Sequence, residues 1–274
     1  MSRRPKRRSP APRKALGQHF LRDDLVLERI AGAVHVPPGG VLVEVGAGTG
    51  QLTEHLLRLG VPLVALEIEP RLVRYLQRRF HGTPTLRIVE ADARDVPIDA
   101  LVPAPAPYAV VGNLPYFAAS PIVRHFLEAE RQPRELVVMV QREVAREIAA
   151  PAGKLSLLGI GIQVYAQPEI LFDVPPEAFD PPPAVVSTVI RLTVRDRPLV
   201  PRSRIAPFFA LVAGTFRNPR KQLRNALAVP GHPGVDLVSL LHDAGIDPTR
   251  RPETLGIDEW LALLDACEAL PVYG

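Results

Sequence analysis

The sequence predicts an α/β fold: a mostly parallel sheet of seven strands with crossover helices, followed by a small all-α domain. Three observations carry this. Short apolar, β-branched runs alternate with segments of helical periodicity through the first two thirds of the chain. The first such run turns directly into Gly46-Ala-Gly-Thr-Gly50, the kind of tight turn that joins a buried strand to a helix. Beyond a polar, proline-bearing linker at Asp196–Pro201, helical periodicity alone remains, broken at 230–234 and 245–248. With 274 residues, 47% of them apolar, the chain can fill one domain of about 200 residues and a small companion.

Taken in order, residues 1–14 hold Arg3, Arg4, Lys6, Arg7, Arg8, Arg13 and Lys14, with no acid. They are too polar and Pro-rich to fold alone, so a basic flexible tail is expected. The net charge is +4, but setting these seven cations aside leaves 26 basic against 29 acidic residues. The basic character is therefore local; it suits nucleic-acid phosphates, and it also suits a tail that merely keeps the chain soluble. A domain over 15–196 follows. Helices are expected at Asp24–Val34, Gln51–Leu59, Pro70–Phe80 with proline in its first turn, Pro121–Ala129 capped by Ser120, Gln141–Ala149 and Leu155–Tyr165. Strands are expected near 41–45, 63–67, 86–90, 108–112, 135–140, 169–173 and 185–194, the last two forming a hairpin around a proline-dense loop at Val174–Pro183. Residues 197–274 form the helical domain. A single cysteine, Cys267, excludes an intramolecular disulfide and a Cys-based zinc site. None of the seven histidines forms a His-x-His or His-Glu-x-x-His pattern, so no metal is expected. No apolar stretch reaches the roughly 18 residues a membrane span needs, and a cytoplasmic monomer is the expectation.

Candidate functional residues fall at strand ends. The glycine turn lets a nucleotide-like cofactor approach the backbone, and Gln51 in the sixth position of G-x-G-x-x-G disfavours a pyrophosphate; a tight turn without a ligand reads the same way. Glu67 can accept both hydroxyls of a ribose, and Asp92 can accept an amine of adenine. Asn113-Leu-Pro-Tyr116 offers two acceptors, the Asn113 side-chain oxygen and the Leu114 carbonyl, a φ fixed by Pro115, and the aromatic face of Tyr116. That set suits a planar base with an exocyclic amine: two acceptors on its N–H bonds free the nitrogen lone pair for attack, and stacking adds about 1–3 kcal/mol. An ordinary Asn-Pro turn would look alike. Four such groups at the C-terminal ends of successive strands is the arrangement open α/β sheets use to bind ligands.

Nearly end to end, the chain resembles the class I S-adenosylmethionine-dependent methyltransferases, and within them the ribosomal RNA adenine N6-dimethyltransferases. The resemblance rests on Lys14-Ala-Leu-Gly-Gln-His-Phe-Leu21, Glu44-Val-Gly-Ala-Gly-Thr-Gly50, Asn113-Leu-Pro-Tyr116 with Ser120, and Phe179-Asp-Pro-Pro-Pro-Ala-Val185 leading into Ser187-Thr-Val-Ile-Arg-Leu192. Phe216-Arg-Asn-Pro-Arg-Lys-Gln-Leu-Arg-Asn-Ala-Leu227 is similar to a basic segment of the type that modifies the small subunit. The resemblance implies a Rossmann-like methyltransferase sheet, with S-adenosylmethionine held by His19, Leu21, Gly46, Glu67, Asp92 and Asn113. Asn113, Leu114 and Tyr116 would be catalytic, and Tyr116 with Phe179 would sandwich the target adenine. Implied too are two adjacent adenosines in the 3′-terminal hairpin of small-subunit rRNA as substrate, on a partly assembled 30S particle, and a role in small-subunit biogenesis. His19 stands where the family usually has Asn, Phe117-Ala118-Ala119 replaces a more polar stretch, and Asn218-Pro219 interrupts the basic segment, whose helix is expected to start at Pro219.

The expected chemistry is direct in-line methyl transfer to N6, without a covalent enzyme intermediate or a strong base. Adenine N6 is buried in a paired stem, so the acceptor must be a loop or a flipped base. Arg217, Arg220, Lys221 and Arg224 would grip phosphates. Three alternatives stay open. A large-subunit rRNA dimethyltransferase of the antibiotic-resistance type shares the Asn-x-Pro-Tyr loop, though the triple proline and the basic segment disfavour it. A DNA adenine methyltransferase lacks room for a target-recognition domain in the last ~75 residues, a small share of a domain's usual size. A non-catalytic rRNA-binding assembly factor would not need Asn113, Glu67 and Asp92 intact.

Overall fold

A computed structural model describes residues 10–11, 18–232 and 234–270. The basic tail expected over residues 1–14 lies almost wholly outside the described residues. Contacts divide the chain into two compact units, Met1–Ala145 with Pro168–Val194, and Arg146–Gln167 with Arg195–Gly274.

In chain order the first unit contains β1 (Phe20–Leu21), α1 (Asp24–Ala33), β2 (Val41–Val45), α2 (Gln51–Leu56), β3 (Leu63–Glu67), α3 (Pro70–Arg79), β4 (Leu86–Glu90), α4 (Ile98–Leu101), β5 (Tyr108–Asn113), α5 (Ala119–Glu128) and β6 (Glu135–Gln141). Then come α6 (Arg142–Ile148), which crosses into the second unit, α7 (Leu157–Gln163), which belongs to it, β7 (Ala166–Val174), which leads back, and β8 (Phe179–Asp180) and β9 (Ser187–Val194) of the first unit. The main sheet has seven strands in the order β4-β3-β2-β5-β6-β9-β7. β2 to β6 pair in parallel, and β9 runs antiparallel to β6. The central strands β2, β3 and β5 are buried almost throughout, as strands covered on both faces must be. β4, at the edge, alternates partly buried Leu86 and Ile88 with exposed Arg87. α3 buries Leu72, Val73 and Leu76 and turns its arginines outward, with Pro70 in its first turn.

Strand order reverses between β2 and β5, so their C-terminal ends diverge and leave a crevice, the place where doubly wound sheets bind ligands. Two expectations are corrected. α5 starts at Ala119 after Ala118, and no side chain caps it, so Ser120 lies inside the first turn instead of preceding it. A second, two-stranded sheet pairs β1 with β8 antiparallel, Leu21 opposite Phe179; neither segment is long enough to show a strand period in the sequence.

The second unit holds α8 (Ile205–Thr215), α9 (Leu223–Ala226), α10 (Leu237–Asp243) and α11 (Ile257–Glu268). It is built around Phe208, Leu211 and Val212 of α8 and Trp260, Leu263 and Leu264 of α11, with the Phe216 and Trp260 rings 6.0 Å apart. The helix expected from Pro219 is absent: Pro219 sits in a turn, and the next helical residues begin at Leu223. Among the described residues no helix is long and apolar enough to cross a membrane, and no cluster of His, Cys, Asp and Glu could hold a metal ion.

Candidate active site

A cavity of about 250 Å³ opens at the C-terminal ends of β2, β3, β4 and β5. Its base is the glycine turn. Gly46 and Gly48 have φ of +73° and +58°, and a Cβ on Gly48 would meet the Phe20 ring at 3.2 Å. Only glycine fits that conformation and leaves the backbone bare to a ligand. The turn is tied to the end of β3: Gly46 and Ala47 N–H donate to the Leu66 carbonyl at 2.9 and 3.1 Å. Gly48 N–H donates to a Glu67 carboxylate oxygen at 2.9 Å. The other Glu67 oxygen accepts from Glu69 N–H at 2.9 Å. Burial, as the larger effect, raises the Glu67 pKa above its ordinary value, against these backbone donors that lower it. With two oxygens and about four lone pairs, the carboxylate can still accept hydroxyl groups.

Asp92 lies on the far wall, chelated by the Arg94 guanidinium at 2.5 to 3.0 Å. That hydrogen bonding holds its pKa below the usual carboxylate range. The near wall is the loop after β5. Leu114 N–H donates to the Met139 carbonyl at 3.2 Å, and the Asn113 side-chain amide donates to the His19 carbonyl at 3.3 Å. Because that bond uses the amide nitrogen, the Asn113 oxygen is left as the group to accept from a substrate amine.

Tyr116 is held at two points, the second of them itself anchored. Its hydroxyl shares a 2.8 Å hydrogen bond with Ser187. Its ring stacks against His19, centroids 6.2 Å apart and planes at 22°. The His19 Nδ1 lies 2.8 Å from the Pro181 carbonyl; a carbonyl only accepts, so Nδ1 carries the proton. Burial keeps the Tyr116 phenol above its ordinary pKa.

His19, Gly46, Glu67, Asp92, Asn113, Leu114 and Tyr116 thus line one cavity. Leu21 does not: it borders a smaller space of about 40 Å³ behind the glycine turn, together with Glu44 and Gln51. Phe179 lines neither. Its backbone pairs with Leu21, and its side chain is buried in the core cluster to which Leu21, Leu27 and Val174 also belong. Arg217, Arg220, Lys221 and Arg224 are exposed and lie in the second unit. Phe117, on the cavity rim, is 72% exposed.

Sequence reasoning missed three residues. Gln18 donates to Glu69 at 2.7 Å on the cavity edge. Glu44, fully buried, accepts from the Thr53 hydroxyl at 2.7 Å, and burial pushes its pKa up to about 7. Ser187 was legible only as a residue of the expected strand 185–194 and of the segment that carries the family resemblance; nothing local marks it as a partner of Tyr116.

Three comparisons with known proteins bear on this site. Residues 11–268 match the family model described as ribosomal RNA adenine dimethylase. Ribosomal RNA small subunit methyltransferase A of Dehalococcoides mccartyi is 39% identical over 252 residues, covering 92% of this chain and 87% of that protein. The protein of the same name from Desulfitobacterium hafniense is 42% identical over 256 residues, covering 92% and 91%. Among solved structures, the 23S rRNA methyltransferase ErmE matches at a TM-score of 0.70 with 27% identity, over 91% of this chain and 99% of that one. A dimethyladenosine transferase from Plasmodium falciparum matches at 0.72 with 21% identity, over 89% and 96%, a likeness of fold.

Proposed function

Because the chain belongs to the ribosomal RNA adenine dimethylase family, we propose that it transfers methyl groups from S-adenosylmethionine to N6 of two adjacent adenosines in the 3′-terminal hairpin of small-subunit rRNA, acting on a partly assembled 30S particle. The observation that carries this reading is the convergence of Asn113, Leu114 and Tyr116 with Gly46, Glu67 and Asp92 around one cavity. Relatives at 39–42% identity named for the small subunit weigh more than the 27% likeness to a 23S enzyme.

The residues present fit S-adenosylmethionine: a glycine cradle that a Cβ would fill, a carboxylate at each of two strand ends, and a narrow space behind the turn. When bound, that cofactor supplies an electrophilic methyl group on a sulfonium. Glu67 is placed to accept ribose hydroxyls, and Asp92, kept ionised, to accept an adenine amine. On the acceptor side, the Asn113 oxygen and the Leu114 carbonyl accept hydrogen bonds from the N6 amine and direct its lone pair at the methyl carbon. Tyr116 stacks on the base and fixes the attack direction, which is the main source of rate when no covalent step intervenes. Its neutral, hydrogen-bonded phenol takes no part in proton transfer. The proton leaves to water once N6 is alkylated.

Labelled-methyl transfer, measured in parallel on small-subunit particles, naked small-subunit rRNA, large-subunit rRNA and DNA, tests the reading. Dimethyladenosine should appear in the small-subunit samples. Asn113→Ala should remove transfer by about 100-fold or more, the scale of losing one oriented polar group at a reacting centre, with calorimetric binding of S-adenosylmethionine only weakened. Near-normal turnover by Asn113→Ala, or product in large-subunit rRNA or DNA alone, refutes it.

A further inference from the structure

The hydroxyl at the tip of Tyr116 is bonded inside the protein to a residue outside the cavity lining. Its partner, Ser187, is the first residue of β9 and is fully buried. Ser187 stands opposite Gln141 in the β6–β9 ladder, so its position is set by a run of paired strand residues and owes nothing to loop packing. β6 also anchors the start of the same loop, through Met139 and Leu114. The loop that carries Tyr116 is therefore tied to β6 at Leu114, and the Tyr116 hydroxyl to β9, two strands paired with each other. His19 limits the remaining freedom by lying against the ring, itself tied to Pro181.

We propose that Ser187 is a positioning residue for methyl transfer: it touches neither donor nor base, and it holds the Tyr116 ring in the orientation that receives the adenine. The proposal rests on the adenine-methylation reading above. Its physical basis is preorganisation. A tyrosine whose tip is unanchored explores other χ1 and χ2 wells, and an arriving base must then freeze it, a cost that appears in binding or in the barrier. Removing the Ser187 hydroxyl also leaves a half-buried phenol short of a partner. Removing the phenol oxygen instead leaves the serine hydroxyl, in a dry setting, short of one. Either change breaks the same bond, so the two should not add.

The test uses the full chain and four variants: Ser187→Ala, Ser187→Thr, Tyr116→Phe and the double Ser187→Ala/Tyr116→Phe. Methyl transfer to small-subunit particles is followed together with calorimetric binding of S-adenosylmethionine. Ser187→Ala should lower kcat/KM for the particle about 10-fold, with the donor Kd within twofold of wild type, and Ser187→Thr should restore most of the rate. Tyr116→Phe should lose a similar factor, and the double variant about the same again as either single. Should Ser187→Ala fail to fold, Tyr116→Phe breaks the bond from the other side with no cavity, and Ser187→Thr keeps the hydroxyl. Undiminished kcat/KM in Ser187→Ala, full activity in Tyr116→Phe, or losses that multiply in the double variant overturn the clamp. A wild-type protein that methylates no adenine-bearing acceptor overturns the functional reading beneath it, whereas an active wild type with an equally active Ser187→Ala overturns the clamp alone.

Discussion

Glu44→Gln should make this protein more stable above neutral pH and leave it unchanged in acid. Glu44 is the fourth residue of β2, 1% exposed, and accepts from the Thr53 hydroxyl at 2.7 Å and from the Thr53 backbone N–H. Burial is the largest effect; it outweighs the Thr53 bonds and is reinforced by the nearby Glu67 carboxylate, moving the Glu44 pKa from 4.5 to about 7. The sign follows from which state holds the proton. Below about pH 4.5 the carboxyl is protonated in both folded and unfolded chains and contributes nothing to pH dependence. Between 4.5 and 7 the unfolded chain gives up its proton while the folded chain keeps it, so stability falls as pH rises. Above 7 the full penalty is in place: the difference between 4.5 and about 7 is worth about 3 kcal/mol at 1.36 kcal/mol per pH unit. Glutamine keeps the shape and an oxygen to accept from Thr53, and it has no charge to desolvate. Melting curves of wild type and Glu44→Gln across pH 4.5–8.5 should therefore coincide at the acid end and separate by about 6 °C at the alkaline end, at about 2 °C per kcal/mol for a chain of this size. A separation that is the same at every pH, or one that grows towards acid, refutes the argument that the Glu44 charge is what the core resists.

Gly112→Ala should be severe for a different reason. A Cβ there would overlap the Val45 carbonyl oxygen, backbone that no rotamer change relieves, so β2 and β5 must part where they hold the glycine turn and Asn113; a loss of about 2–3 kcal/mol and weaker donor binding are expected by melting and calorimetry. Gly32→Ala, in α1 with nothing within 4 Å of the added carbon, is the contrasting control and should gain about 0.5–1 kcal/mol. Neutralising Arg217, Arg220, Lys221 and Arg224 together should flatten the dependence of log affinity for small-subunit particles on log salt by about 3, if each of the four meets one phosphate; an unchanged slope removes them from the RNA contact.

All seven strands of the main sheet were legible in the sequence: β2, β3, β5 and β6, buried on both faces, are written as nearly unbroken apolar runs, and the edge strands β4 and β7 as short apolar segments mixed with polar residues. The same local grammar placed Gly46, Glu67, Asp92 and Asn113 at strand ends, and a parallel sheet brings such ends to one edge whatever the loops do. The helix starts at Asp24, Gln51 and Pro70 were read correctly, but Ser120 looks like a cap and is not, since Ala118 already lies in helical space. The turn at Pro219 shows the same weakness, for proline starts a helix only where the following residues have a face to bury.

Tertiary structure alone decided what depends on partners far apart in the chain. Phe179 reads as a wall for the base, yet pairing β8 with β1, about 160 positions away, turns its side chain into the core. Glu44 reads as one strand residue among five, and only its depth makes it a titrating group near neutrality. Ser187 and Tyr116 are 71 positions apart, and a serine carries no periodic signature of its own. Local sequence thus determined which elements form and which edge of the sheet carries the chemistry. Long-range strand pairing and burial decided which of those side chains face the cavity and how firmly each is held, because a hydrogen bond or a desolvated charge is set by the distance to a partner that the neighbouring residues do not encode.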